Sequence, residues 1–124
     1  MPKKILVIDD EPEISELVKD LIRDKFPNEV RVVYDGFSAG RILNDFMPDL
    51  VVLDLLLPGI NGFEVCKEIK RDPFLKDTKV LTVTGYDTEE HRKKIFEAGA
   101  DDYLPKPMDI KIFYEKIAKL LGIE

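Results

Sequence analysis

A chain of 124 residues fits one unit spanning residues 1–124, long enough for a two- or three-layer core and too short for a second independent domain. Its 44% hydrophobic and 35% charged residues exclude both a disordered and a membrane-embedded composition. The formal net charge of -6 comes with no basic run, so the electrostatic footprint of a phosphate-backbone binder is missing and no direct nucleic-acid partner is expected.

The first predicted strand is the apolar run Ile5 to Ile8. At about four residues it is far too short for a signal-peptide core or a membrane span, so no membrane partner is expected. Cys66 is the only cysteine, which rules out an intrachain disulfide and points to a reducing, cytoplasmic address. Its thiol reads as buried and structural.

Asp9, Asp10 and Glu11 follow that strand, and Pro12 then suits the first turn of a helix. Helical period is clear in Ile14, Leu17, Val18, Leu21 and Ile22. One aspartate ahead of a proline is an ordinary N-cap, a role open to Asp10, but capping does not explain Asp9. Two adjacent carboxylates repel by about 1 kcal/mol in water, and by about 4 kcal/mol at a protein-like dielectric, if they lie ~4 Å apart.

A second strand falls on Val30, Val32 and Val33, and a helix is predicted over 37–46 behind Gly36. The third strand, Leu50 to Leu53, belongs to the motif VVLDLLLPG, where Asp54 interrupts an apolar run from Val51 to Leu57. Burying a lone carboxylate costs several kcal/mol, so Asp54 either emerges at the sheet edge beside a cation or gives up its charge. The bland alternative is an exposed loop aspartate.

Further helices are predicted over 62–71 and 88–98, the latter with Asp87 and Glu90 spaced as a capping box. Between them Val80, Leu81 and Val83 form a strand ending in VTGYD, which sets the Thr84 hydroxyl beside Gly85. The fifth strand, at Tyr103 and Leu104, ends in YLPKP, and the flanking prolines restrict Lys106 to an extended backbone or a cis peptide. The last helix carries Phe113, Ile117, Leu120 and Leu121. His91, the sole histidine, reads as a surface or partly buried structural residue.

Short Val/Ile/Leu strands alternating with amphipathic helices imply an α/β, doubly wound parallel sheet covered on both faces. Ligands of such sheets sit outside the carboxyl ends of the strands, so the strand-end residues should meet in one pocket. Asp9, Asp10 and Asp54 bring three negative charges there. An oxygen-seeking divalent cation, magnesium or manganese, together with Lys106 would neutralise them.

VIDDEP, VVLDLLLPGINGFE, VTGYD and GADDYLPKP stand in that order, and with them the chain resembles, from end to end, a response regulator receiver domain of bacterial two-component signalling. The resemblance implies a flavodoxin-like (βα)5 fold with strand order 2-1-3-4-5. It implies that Asp54 is the phosphoacceptor, that Asp10 and Asp54 ligate Mg2+ directly, that Asp9 acts through a bound water, and that the Leu56 carbonyl completes the protein ligands. Thr84 and Tyr103 resemble the family's switch pair, and Lys106 its phosphoryl-contacting lysine.

The implied phosphoryl donor is a phosphohistidine on a sensor histidine kinase or histidine phosphotransferase. The implied output is a downstream protein target, docked on a face made by the fourth helix, fifth strand and fifth helix, over 88–98, 102–104 and 109–121. Such a domain is a phosphoacceptor that catalyses only its own phosphorylation and dephosphorylation. Leu56 and Tyr86 occupy positions that tune hydrolysis in the family, and an apolar and an aromatic group there are expected to screen the acyl phosphate from water. The chain stops at LGIE, just after the fifth helix, which suits both a stand-alone receiver and a receiver cut from a longer protein.

Three rivals fit less well. A haloacid dehalogenase-type phosphatase uses similar groups but places its nucleophile in a D-x-D pair on the first strand. A flavodoxin-like cofactor binder needs anion-binding donors where VIDDEP repels phosphate. An interaction module that is never phosphorylated has no need of Asp9, Asp10, Asp54, Thr84 and Lys106 together.

Overall fold

The computed structural model describes residues 3–25, 28–57 and 60–123, and leaves out the side chains of Asn28, Leu56, Leu57 and Ile60. Five strands, β1 (Lys3–Ile8), β2 (Asn28–Val33), β3 (Leu50–Asp54), β4 (Lys79–Thr84) and β5 (Asp102–Pro105), form one sheet in the order β2-β1-β3-β4-β5. Every pairing is parallel. The connecting helices are α1 (Pro12–Lys25), α2 (Gly36–Phe46), α3 (Gly62–Arg71), α4 (Glu89–Glu97) and α5 (Ile110–Leu121).

Because successive side chains of a strand point to opposite faces, a strand buried on both sides must be apolar throughout. In β1, Leu6 and Ile8 join one core with Leu43 of α2, Cys66 and Ile69 of α3 and Ile95 of α4. Ile5 and Val7 join the other, with Val18 and Ile22 of α1 and Phe113 and Ile117 of α5. Each fully buried aliphatic or aromatic side chain contributes about 1.5–3 kcal/mol relative to exposure. Cys66 is 1% exposed, and burial pushes its thiol up to about 11, as expected of a packing residue.

Several local expectations need correction. Leu17 fits the period of α1 yet is 54% exposed, because the buried stripe of that helix is carried by Ser15, Val18 and Ile22. The helix cap after β4 is Thr88, whose hydroxyl accepts from His91 N–H at 3.1 Å, and not Asp87, which pairs with Arg92 at 2.6 Å. Asp10 does not cap α1. The residue whose carbonyl accepts the first helical bond is Glu11, from Ser15 N–H at 2.9 Å. A short antiparallel ribbon pairs Leu56–Leu57 with Ile60–Asn61, an element the sequence reading did not assign.

Gly62 shows how tightly α3 closes behind β3. A Cβ there would lie 2.5 Å from the Leu55 Cα and 2.9 Å from the Asp54 carbonyl oxygen, both backbone atoms that cannot yield. Its N–H donates to the Leu55 carbonyl at 3.0 Å, which fixes the chain just past Asp54.

Candidate functional site

Strand register delivers the acidic residues to one edge. β1 and β3 pair in register up to Ile8 opposite Leu53, and one further step brings Asp9 level with Asp54. On the other side Asp54 pairs with Val83, so Thr84 follows immediately, and Thr84 pairs with Pro105, just before Lys106. Four chain segments thus end together at the carboxyl edge of the sheet, the position where open α/β sheets bind ligands.

Carboxylate oxygens of Asp9, Asp10, Glu11 and Asp54 all lie within 4.8 Å of one another. Asp9 and Asp54 are only 5% and 6% exposed, whereas Asp10 and Glu11 stand further out. Lys106 reaches in from the opposite wall, its Nζ 3.5 Å from Asp54, 3.6 Å from Glu11 and 3.8 Å from Asp9. Asp10, Glu11, Asp54, Gly85, Tyr86 and Lys106 line an open cleft of ≈ 510 Å³.

Local bonds hold this edge in place. Asp9 Oδ1 accepts the Glu11 N–H at 2.9 Å, so Asp9 takes the backbone-accepting part that the sequence offered to Asp10. The buried Ser15 hydroxyl donates to the Asp9 and Glu11 carbonyls at 3.2 and 2.7 Å. Lys106 N–H donates to the Thr84 carbonyl at 2.7 Å, and the Lys106–Pro107 peptide is cis. Thr84, 2% exposed, accepts the Tyr86 N–H on Oγ1 at 3.0 Å.

The charges are unbalanced. Burial raises the Asp9 carboxyl from 3.8 to about 6, against the lowering influence of the Glu11 N–H and Lys106 and with help from Asp54 and Glu11. Burial is also the largest single influence on the Lys106 ammonium, opposing its charge. Asp54, Asp9 and Glu11 together outweigh it, and the pKa lies above the ordinary lysine value. Four carboxylates against one lysine leave an acid surplus, and a hard, all-oxygen donor set fits a magnesium-type ion. Glu11 is the member that sequence reasoning missed. Its signal was present, since it completes the acidic triplet after β1.

Tyr103 sits apart from the cleft, half-buried on β5 with its ring edge-on to Phe96 at 6.0 Å and the Lys116 ammonium 5.6 Å from its centroid. Leu56 is two residues past Asp54 and opens the ribbon against Asn61, while its side chain lies outside the described ones. His91 is partly buried in the first turn of α4, between the rings of Phe63 and Tyr86.

A five-stranded parallel sheet of order 2-1-3-4-5, with acidic groups and a lysine gathered at its carboxyl edge, defines the class of the fold and site. Residues 5–118 match the family model described as response regulator receiver domain, and the chain belongs to that family, the phosphoacceptor module of two-component systems that binds Mg2+ in an acidic pocket. It is 37% identical over 121 residues to the DNA-binding dual master transcriptional regulator RpaA of Synechocystis, covering 98% of this chain and 49% of that protein. It is 36% identical over 123 residues to the phosphate regulon transcriptional regulatory protein PhoB of Escherichia coli K12, covering 99% of this chain and 52% of PhoB.

The chain therefore spans about half the length of these relatives. Among solved structures it resembles the signal receiver domain of a DNA-binding response regulator from Colwellia psychrerythraea, with a TM-score of 0.92, 30% identity and coverage of 97% and 98% of the two chains. A CheY-like receiver domain protein from Methanospirillum hungatei gives a TM-score of 0.90 at 26% identity, with coverage of 98% and 95%. No helix among the described residues is long and apolar enough to cross a membrane.

Proposed function

We propose that residues 1–124 act as one phosphoacceptor unit in which Asp54 takes a phosphoryl group from a phosphohistidine on a sensor histidine kinase or histidine phosphotransferase. The observation that carries this reading is the gathering of four carboxylates within 4.8 Å, with the Lys106 ammonium 3.5 Å from Asp54. Asp10, Asp54 and the Leu56 carbonyl would hold the cation directly, with Asp9 acting through a water and Glu11 at the rim. A bound Mg2+, or Mn2+, supplies positive charge for the phosphoryl oxygens.

In the transfer itself an Asp54 carboxylate oxygen attacks phosphorus in line, so that a P–O bond forms as the P–N bond to the donor imidazole breaks. The imidazole nitrogen keeps the electron pair and takes up a proton. Lys106 donates to the equatorial oxygens, on which negative charge is spread in a loose transition state. No protein base is needed, because an ionised carboxylate is already the nucleophile.

Once the phosphoryl group is in place, its oxygens compete for the Thr84 hydroxyl. Movement of Thr84 then favours an inward position of Tyr103, and the surface formed by α4, β5 and α5 becomes the docking face for a downstream protein target. Such a shift works by stabilising one of two arrangements already available to the chain. Tyr86 and Leu56 screen the acyl phosphate from water. We place this signalling in the cytoplasm, without direct contact to nucleic acid or membrane by this unit.

The test is intact mass spectrometry after incubation with acetyl phosphate and Mg2+. Wild type should gain one phosphoryl group, and Asp54→Asn or wild type with EDTA should gain none. Equal uptake by Asp54→Asn would overturn the assignment.

A further inference from the structure

Three rings run in a row from the core to the acid cleft. Phe63, anchored by its N–H on Asn61 Oδ1 at 2.7 Å, packs partly buried against the core beneath α2, α3 and α4. Its ring meets that of His91 nearly edge-on, with centroids 5.2 Å apart and planes at 77°. His91 in turn meets the Tyr86 ring, with centroids 5.7 Å apart and planes at 57°. Tyr86 lines the cleft, and its N–H is held by the Thr84 hydroxyl.

His91 is unusual in a second respect. Its Nε2 is the buried side-chain nitrogen that lacks a hydrogen-bond partner among the described residues. Buried polar atoms are nearly always paired, and replacing an unpaired one by an apolar group of similar shape gains stability. What the structure does give the His91 side chain is ring contact with Phe63 and with Tyr86, so its role is read from where its ring sits. Tyr86 is 55% exposed, so without that contact little besides its backbone would keep its ring over the cleft.

We propose that His91 is a positioning residue that braces the Tyr86 ring against Phe63 and so sets how long a phosphoryl group survives on Asp54. The inference rests on the phosphoacceptor reading above and adds a residue outside the cleft to it. In hydrolysis a water oxygen bonds to phosphorus, the P–O bond to Asp54 breaks, the aspartate leaves as a carboxylate, and inorganic phosphate carries the water-derived protons. A braced Tyr86 limits the water that reaches the phosphorus. A swinging Tyr86 admits it.

The test loads each protein with acetyl phosphate and Mg2+, removes the donor, and follows loss of the phosphoryl mass alongside Tm. His91→Ala should shorten the lifetime about 2- to 10-fold, the range that one lost ring contact allows. Tyr86→Ala should shorten it at least as much, and the double variant no further than Tyr86→Ala alone. His91→Phe should keep the wild-type lifetime and raise Tm, a separation that a purely structural role would not give. An unchanged lifetime in His91→Ala, or additive effects in the double variant, overturns the proposal while leaving the phosphoacceptor reading intact. Failure of wild type to take up any phosphoryl group sinks both.

Discussion

Lys70 and Lys106 are lysines of almost equal exposure, 21% and 23%, at opposite edges of the same sheet. At the amino edge, Lys70 Nζ lies 2.8 Å from both the Asp101 carboxylate and the Thr78 carbonyl, and the same Asp101 oxygen accepts the Val80 N–H at 2.8 Å. One cation meets one anion there, and a backbone N–H and a backbone carbonyl complete the contacts. At the carboxyl edge Lys106 faces three carboxylates at 3.5–3.8 Å, with Asp10 close behind them. The first arrangement is closed and structural. The second carries surplus negative charge that a further cation or a proton on Asp9 would relieve, and the phosphoacceptor proposal rests on that surplus.

The difference can be broken most sharply at the two lysines. Lys106→Ala should slow phosphoryl uptake from acetyl phosphate by about 10²- to 10³-fold at saturating Mg2+, as loss of one transition-state donor does elsewhere. A change under about threefold would make Lys106 another structural ion pair. Lys70→Met should leave uptake rates alone and instead cost about 2 kcal/mol of stability in a denaturant titration. Slowed uptake in that variant would erase the contrast between the edges.

Asp9 sharpens the comparison through pH. Its pKa is raised from 3.8 in the unfolded chain to about 6 in the folded protein, so its favourable contribution is full below pH 3.8 and is lost as pH rises through about 6. Without divalent metal, Asp9→Asn should therefore be more stable than wild type at pH 7.5, by about 2–3 kcal/mol, with the gap closing towards pH 4. The same variant should lose most of the Tm increase that millimolar Mg2+ gives wild type. A less stable Asp9→Asn at pH 7.5 would mean that the acid surplus is already relieved. The smallest effect belongs to the helix leaving this edge: Thr88→Ala should cost about 1 kcal/mol and Asp87→Ala well under half of that.

Much of this was legible in the chain. The central strands β1, β3 and β4 announced themselves because strands buried on both faces demand near-continuous Val, Ile and Leu, and Asp54 stood out against such a run, while the edge strands β2 and β5 carried shorter apolar signals. The meeting of Asp9, Asp10 and Asp54 followed from parallel topology, which sends all strand ends to one side. Other features were hidden by short-range competition that sequence spacing does not resolve. Thr88 and Asp87 are both good caps, and the structure gives the cap to Thr88 while Asp87 pairs with Arg92. Leu17 satisfies the helical period but lies beyond the reach of the sheet. The ribbon after Asp54 is too short to carry any periodicity, and the His91 ring contacts join segments whose proximity depends on how α3 and α4 pack.

The most direct measurement locates the modified residue. Phosphorylating the protein with acetyl phosphate and Mg2+, reducing the acyl phosphate with borohydride and mapping peptides should yield homoserine at position 54, and none when Mg2+ is withheld. Homoserine at Asp9, Asp10 or Glu11 instead, or an unmodified Asp54 in a protein that binds Mg2+ normally, would contradict the account.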